Sequence, residues 1–293
     1  MSLLETPPPA GEPIRLPPPP RRRRARRSLV LPDADERSAL INRLARRAFP
    51  SVEFFVFSLL CGAVVGLGFI LDAQSLLLLG VLLAPLMTPW VGLTLASTTG
   101  LWRFFLLTLT GLLVGGALVF GSGLLSGLAA RLIEQDFFQQ ASIHSHLWWP
   151  NLMVLTIGAV LLVISFIRSE DKPLLPSVML TYELYLPLGA AGFGLGLGSG
   201  RAWPDGALVF LVHLSLATLA GMITLAVLRF RPVRAAGLPL TGLVILLALT
   251  AVVVLTGLGS YLIPGLPGPP PTPTPTVFLP PATPPPPTAT AAP

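Results

Sequence analysis

From residue 52 to residue 258 the chain runs through apolar stretches of about twenty residues, joined by short polar connections, and few folds accommodate that pattern. A helix needs roughly 20 residues to cross about 30 Å of hydrocarbon, and in lipid it satisfies its own backbone hydrogen bonds. Seven spans are expected, at 52–71, 75–95, 104–125, 148–167, 175–197, 207–228 and 238–258. Composition agrees, with 53% hydrophobic and 11% charged residues against roughly 25% charged in a soluble domain. The expected fold is an all-α, polytopic transmembrane helix bundle.

The two ends differ from this middle. Eleven of the nineteen basic residues precede Pro50, among them Arg21, Arg22, Arg23, Arg24, Arg26 and Arg27. A basic run beside a span, without interleaved aromatics, suits anionic lipid headgroups better than nucleic acid. Residues 1–50 therefore read as a cytoplasmic Pro/Arg-rich tail, ending in a short amphipathic helix over 33–47 that carries Leu40, Ile41 and Leu44 and lies at the membrane surface. Residues 264–293, rich in Pro, Thr and Ala, cannot bury a core and read as an extended external tail. Positive charges fix the orientation: Arg103, Arg168, Lys172, Arg229, Arg231 and Arg234 fall on one side, and only Arg131 and Arg201 on the other. The N-terminus is expected in the cytoplasm and the C-terminus outside, in the cell (inner or plasma) membrane. No cleaved signal is expected before the first span, and the single cysteine, Cys61, precludes an internal disulfide.

Self-similarity organises the middle. Pro85-Leu86 followed by Gly92-Leu93 through Ser97 recurs as Pro187-Leu188 followed by Gly194-Leu195 through Ser199, at an offset of 102 positions. Three crossings per copy force the second copy to enter from the opposite side. The expectation is two inverted three-span repeats, 51–127 and 148–230, joined by an external loop at 128–147 and followed by a seventh span within 236–263. Inverted repeats with interrupted helices in matching positions point to a transport site near the midplane. Pro85 and Pro89 interrupt the second span. Pro187 and its following glycines, Gly192 and Gly194 among them, do so in the fifth, so both are expected to kink or unwind. The alternative is that the glycines only allow close helix packing, as Gly62/Gly66 and Gly111/Gly115 do.

The stretch Gly80-Val81-Leu82-Leu83-Ala84-Pro85-Leu86-Met87-Thr88-Pro89-Trp90-Val91-Gly92-Leu93 resembles the hallmark of DUF389, an uncharacterised hydrophobic-domain family of bacterial and archaeal membrane proteins. Leu186-Pro187-Leu188 and the apolar run from Gly206 to His213 are similar to its second motif. Ala84, Thr88 and His213 stand where members of the family usually carry serine, glycine and asparagine. The resemblance implies the membrane topology and no particular activity.

Two ionisable residues fall deep within spans, Glu183 and His213, where an unpaired charge costs at least about 2.5 kcal/mol. Glu183 precedes Pro187 by one turn and can serve either as a proton- or cation-binding carboxylate or as a neutral acid bonded to a neighbouring helix; His213 is its candidate partner. The loop residues Glu134, Asp136, His144 and His146 have no metal-ligand spacing, and no cofactor is expected. No phosphate loop or nucleophile elbow is present, so no enzyme is expected. The favoured function is a transporter or channel for a small solute or ion, with Pro85, Thr88, Pro89, Glu183, Pro187, Gly192, Gly194 and His213 as candidate pathway residues. A non-transporting membrane scaffold is the alternative. The partners expected are the bilayer and its anionic headgroups, with a homo-oligomer left open.

Overall fold

The structure, a computed structural model, describes residues 34–133, 138–168, 173–200, 202–230 and 238–255. Both tails beyond the helices, the arginine run and the Pro/Thr-rich segment, lie outside the described residues, as do Glu134 and Asp136. The chain divides into two compact units, Met1–Asn42 and Arg43–Pro293, and the described part of the first is helical.

All described elements are helices: α1 Ala34–Arg47, α2 Val52–Ile70, α3 Gln74–Leu83, α4 Thr88–Thr99, α5 Trp102–Ala130, α6 Gln139–His144, α7 Trp149–Arg168, α8 Leu174–Leu197, α9 Ala202–Val227 and α10 Leu238–Leu255. Five of them, α2, α5, α7, α8 and α9, are long and apolar enough to cross a membrane. The bent pair α3 and α4 makes a sixth crossing if counted as one span. The expected seventh span is α10, whose apolar part, Leu238–Val254, is shorter than the others. The loop at 128–147 holds a helix the hydropathy pattern did not suggest, because α6 has only six residues and a mixed sequence.

The second unit is built around α8. In its most apolar window 78% of residues are buried, against 33% in α5 and α7, so α8 is the helix the others enclose. It packs on α5, α9, α7 and α2. Leucines and isoleucines such as Leu60, Leu67, Leu113, Ile157, Leu211 and Ile223 are exposed on the outer helices. An apolar surface of that extent belongs in lipid. Trp102, Trp148, Trp149 and Trp203, all exposed at helix starts, stand where aromatic belts meet the headgroups.

Glycine sets the distance between α5 and α8. A Cβ on Gly123 or Gly127 would strike the carbonyl oxygen of Gly189 or Phe193, and one on Gly192 or Gly196 that of Phe120 or Leu124. The two backbones touch along two turns, which is the gain small residues give where lipid supplies no hydrophobic drive between helices. Gly62 and Gly66 do the same for α2 against Ser122 and Ser126 of α5. Gly127→Ala should therefore destabilise the protein in detergent by about 1–3 kcal/mol, read as a loss of thermal unfolding temperature. Gly121→Ala, with nothing within 4 Å of the added carbon, should leave it unchanged or slightly raised.

Candidate functional site

The break in the second span follows from its prolines. Pro85 holds the preceding Ala84 in an extended conformation, ψ 151°, which ends α3 at Leu83. Pro89 occupies the first turn of α4, where its missing N–H is not needed. Between them the chain turns by 61°. Met87, the residue before α4, has no side-chain cap of its own; its N–H donates to Oγ of Ser177 on α8 at 2.8 Å. Pro85, Met87, Pro89 and Trp90 are buried and Thr88 is partly exposed.

From Pro89 to Thr99 every residue of α4 is buried, including four hydroxyls. Each hydroxyl is satisfied within the helix: Thr94 donates to Val91 O, Ser97 to Leu93 O, Thr98 to Thr94 O and Thr99 to Leu95 O. At its end Gly100 adopts φ 74° and Leu101 N–H reaches back to Ala96 O at 3.1 Å. Ser97 O, left without a helical donor, accepts from Thr241 Oγ1 of α10 at 2.6 Å.

The fifth span behaves differently from expectation. α8 runs unbroken through Pro187 and ends only at Gly198, with φ 83°. Proline at 187 removes the N–H that would donate to Glu183 O, one turn earlier. That carbonyl is met instead by Nδ1 of His213 on α9, at 2.7 Å. A single lost bond so replaced does not unwind a membrane helix, whereas the second span loses two donors within five residues. The Glu183 carboxyl also lies beside the ring, with Oε2 3.6 Å from Nδ1. Glu183 is 3% exposed and His213 0%.

Of the sequence candidates, Glu183, Pro187 and His213 thus come together, and Pro85, Thr88 and Pro89 form the break, tied to α8 through Ser177. Gly192 and Gly194 are helix contacts: a Cβ on Gly192 would meet the α5 backbone and one on Gly194 the Ala202–Trp203 segment. Ser177, Trp90 and Tyr185 were not singled out from sequence. Trp90 lies inside the Gly80–Leu93 motif, and the only sign for Ser177 is a hydroxyl in an apolar span. Tyr185 Oη and Ser58 Oγ lie 3.3 Å apart in the core. Among the described residues, two buried side-chain nitrogens have no hydrogen-bond partner, Trp90 Nε1 and His213 Nε2. No three His, Cys, Asp or Glu side chains among the described residues come together as a metal set.

A model of the family DUF389, a domain of unknown function, matches residues 81–262. The chain belongs to the DUF389 family. The matched region opens at Val81, just before the break, and takes in α4, α8 and α9, so both constellations described above lie within the DUF389 domain. No curated protein and no solved structure matches the chain.

Asp72, just past the end of α2, and His144, read from sequence as a loop residue, have structural partners. Asp72 Oδ1 accepts from Gln140 N at 2.7 Å, at the start of α6. His144 is buried beside Phe69 and Tyr182, and burial lowers its pKa from the ordinary 6.5 to about 4. Between those two values the unfolded chain binds a proton that the folded one refuses, so stability falls as pH drops from 6.5 towards 4, by roughly 3 kcal/mol at most. Unfolding in detergent measured across that window should show the loss, and His144→Phe should flatten it. Ser177→Ala, which leaves the buried Met87 N–H without its acceptor, should cost about 1–2 kcal/mol in the same assay.

Proposed function

We propose that the protein is a non-enzymatic carrier or channel for a small solute or ion, working through the α3–α4 break and the adjoining Glu183–His213 pair. The observation that carries this reading is the break itself: a span interrupted by 61° and buried against the central helix, where interrupted membrane helices expose backbone groups to a path. Ser177, its partner on α8, precedes Glu183 by six residues, about 9 Å along that helix. An ionisable pair at that depth is a functional position by default in a membrane protein.

The reading includes two inverted halves, α2–α5 and α7–α9. Helix packing supports it, since contacts occur in pairs that exchanging the halves would require. α2 packs on α5 and α7 on α9, α4 on α5 and α8 on α9, and α5 on α8 as α4 does on α9. By charge the N-terminal arginines would face the cytoplasm and anionic headgroups, in the cell membrane, with the C-terminal tail outside. The backbone-on-backbone contact of α5 with α8 is what favours the other reading, a rigid scaffold that moves nothing.

Proteoliposomes decide between them. Flux of protons, monovalent cations or small anions above that of empty vesicles is expected, lowered about tenfold or more by Glu183→Gln or Pro187→Ala, which is about 1.4 kcal/mol or more of barrier. No flux across the panel would favour the scaffold.

A further inference from the structure

Carbonyl oxygens only accept hydrogen bonds, so the 2.7 Å contact from His213 to Glu183 O assigns the ring proton to Nδ1. A neutral imidazole then has its lone pair on Nε2. That atom is fully buried and has no partner among the described residues. An unsatisfied buried acceptor is unfavourable, and it is held there by a proline, a freed carbonyl and a fixed tautomer acting together. On the opposite side of the ring the Glu183 carboxyl supplies the counter-charge that a cationic ring would need.

We propose that Glu183 and His213 form a proton-binding site inside the membrane, with Nε2 of His213 the atom that takes the proton. The lone pair on Nε2 forms an N–H bond with a proton delivered by hydronium, leaving water. The ring becomes imidazolium, Nδ1–H keeps its bond to Glu183 O, and the Glu183 carboxylate 3.6 Å away balances the charge. The loaded pair is neutral overall, which is the state hydrocarbon tolerates. Other ionisable groups on the packed helices are few. They are Glu53 and Cys61 on α2, Arg103 on α5, His144 on α6, Arg168 on α7, Tyr182 and Tyr185 on α8 and Asp205 on α9; α3, α4 and α10 carry none. Glu53, Arg103, Arg168 and Asp205 lie in the first or last turns of their helices, which leaves Glu183 as the carboxylate at the ring's depth.

This deepens the carrier reading, since it names the proton as the ion the site takes, but binding can be measured without transport. Full-length protein labelled with 15N-histidine in nanodiscs gives the ring directly, the His213 signals being those lost in His213→Gln. The expected result is a neutral ring protonated on Nδ1 at high pH that becomes doubly protonated as the pH is lowered. At any fixed pH in the transition, Glu183→Gln should lower the ratio of charged to neutral ring about tenfold. Pro187→Ala, which returns an N–H to Glu183 O, should release the lock and bring up the Nε2–H tautomer. A wild-type ring that stays neutral throughout overturns the proposal whether or not the variants fold, and so does a titration that Glu183→Gln leaves unmoved. Acid-driven proton uptake into proteoliposomes separates the two levels. Ring titration without uptake supports the site and removes the proton as the carried ion, while uptake with a ring that never charges removes the site.

Discussion

Hydrocarbon offers a backbone amide nothing to bond to, and this chain departs from the unbroken helix in several places that must each find a substitute partner. In four of them the partner is a side chain from a different helix. Ser177 of α8 takes the N–H of Met87 at the break, and His213 of α9 donates to the carbonyl that Pro187 strands. Thr241 of α10 donates to Ser97 at the end of α4, and Arg47, in the last turn of α1, donates to Phe166 O near the end of α7 while lying over its ring at 4.7 Å. Each of these four irregularities is therefore also a tertiary contact. The same residues that interrupt the helices determine how the helices are assembled.

Glycine does the complementary work where the helices are regular. α5 and α8 approach until backbone meets backbone, and the contact leaves α8 enclosed by its neighbours. Burial on that scale makes the polar groups α8 carries, Ser177, Thr181, Glu183 and Tyr185, internal ones. Three of them reach outward to other helices, Ser177 at the break, Glu183 beside His213 of α9 and Tyr185 at Ser58 of α2.

Much of the architecture was legible because hydropathy reports directly on length in a bilayer, and the break was legible because Pro85 and Pro89 act on their own neighbours. Pro187 was misjudged for the converse reason. Whether a proline unwinds a helix depends on what replaces its lost bond, and the replacement, His213, comes from another helix twenty-six positions on. The pairing of Glu183 with His213 was anticipated, since two ionisable groups buried in spans need partners and few others were at hand. That the main-chain oxygen takes the closer contact requires the register of α8 against α9. The glycines after Pro187 carry the same letters whether they loosen a helix or let it pack, and only the backbone of α5 beside Gly192 and Gly196 distinguishes the two. Helix α6, six residues of mixed polarity, had no periodic signal to read.

The elements that follow each half are unequal. After α5 comes the six-residue α6, which packs on α8; after α9 comes the eighteen-residue α10, which packs on α4 and bonds to it through Thr241. In the carrier proposed above, with halves that trade places, that inequality would be a built-in bias. The half containing the break has a long helix fastened to it and its counterpart only a stub, so the two faces of the membrane would not be visited for equal times. Under the carrier proposed above, matched halves with unmatched attachments would give the protein a resting side.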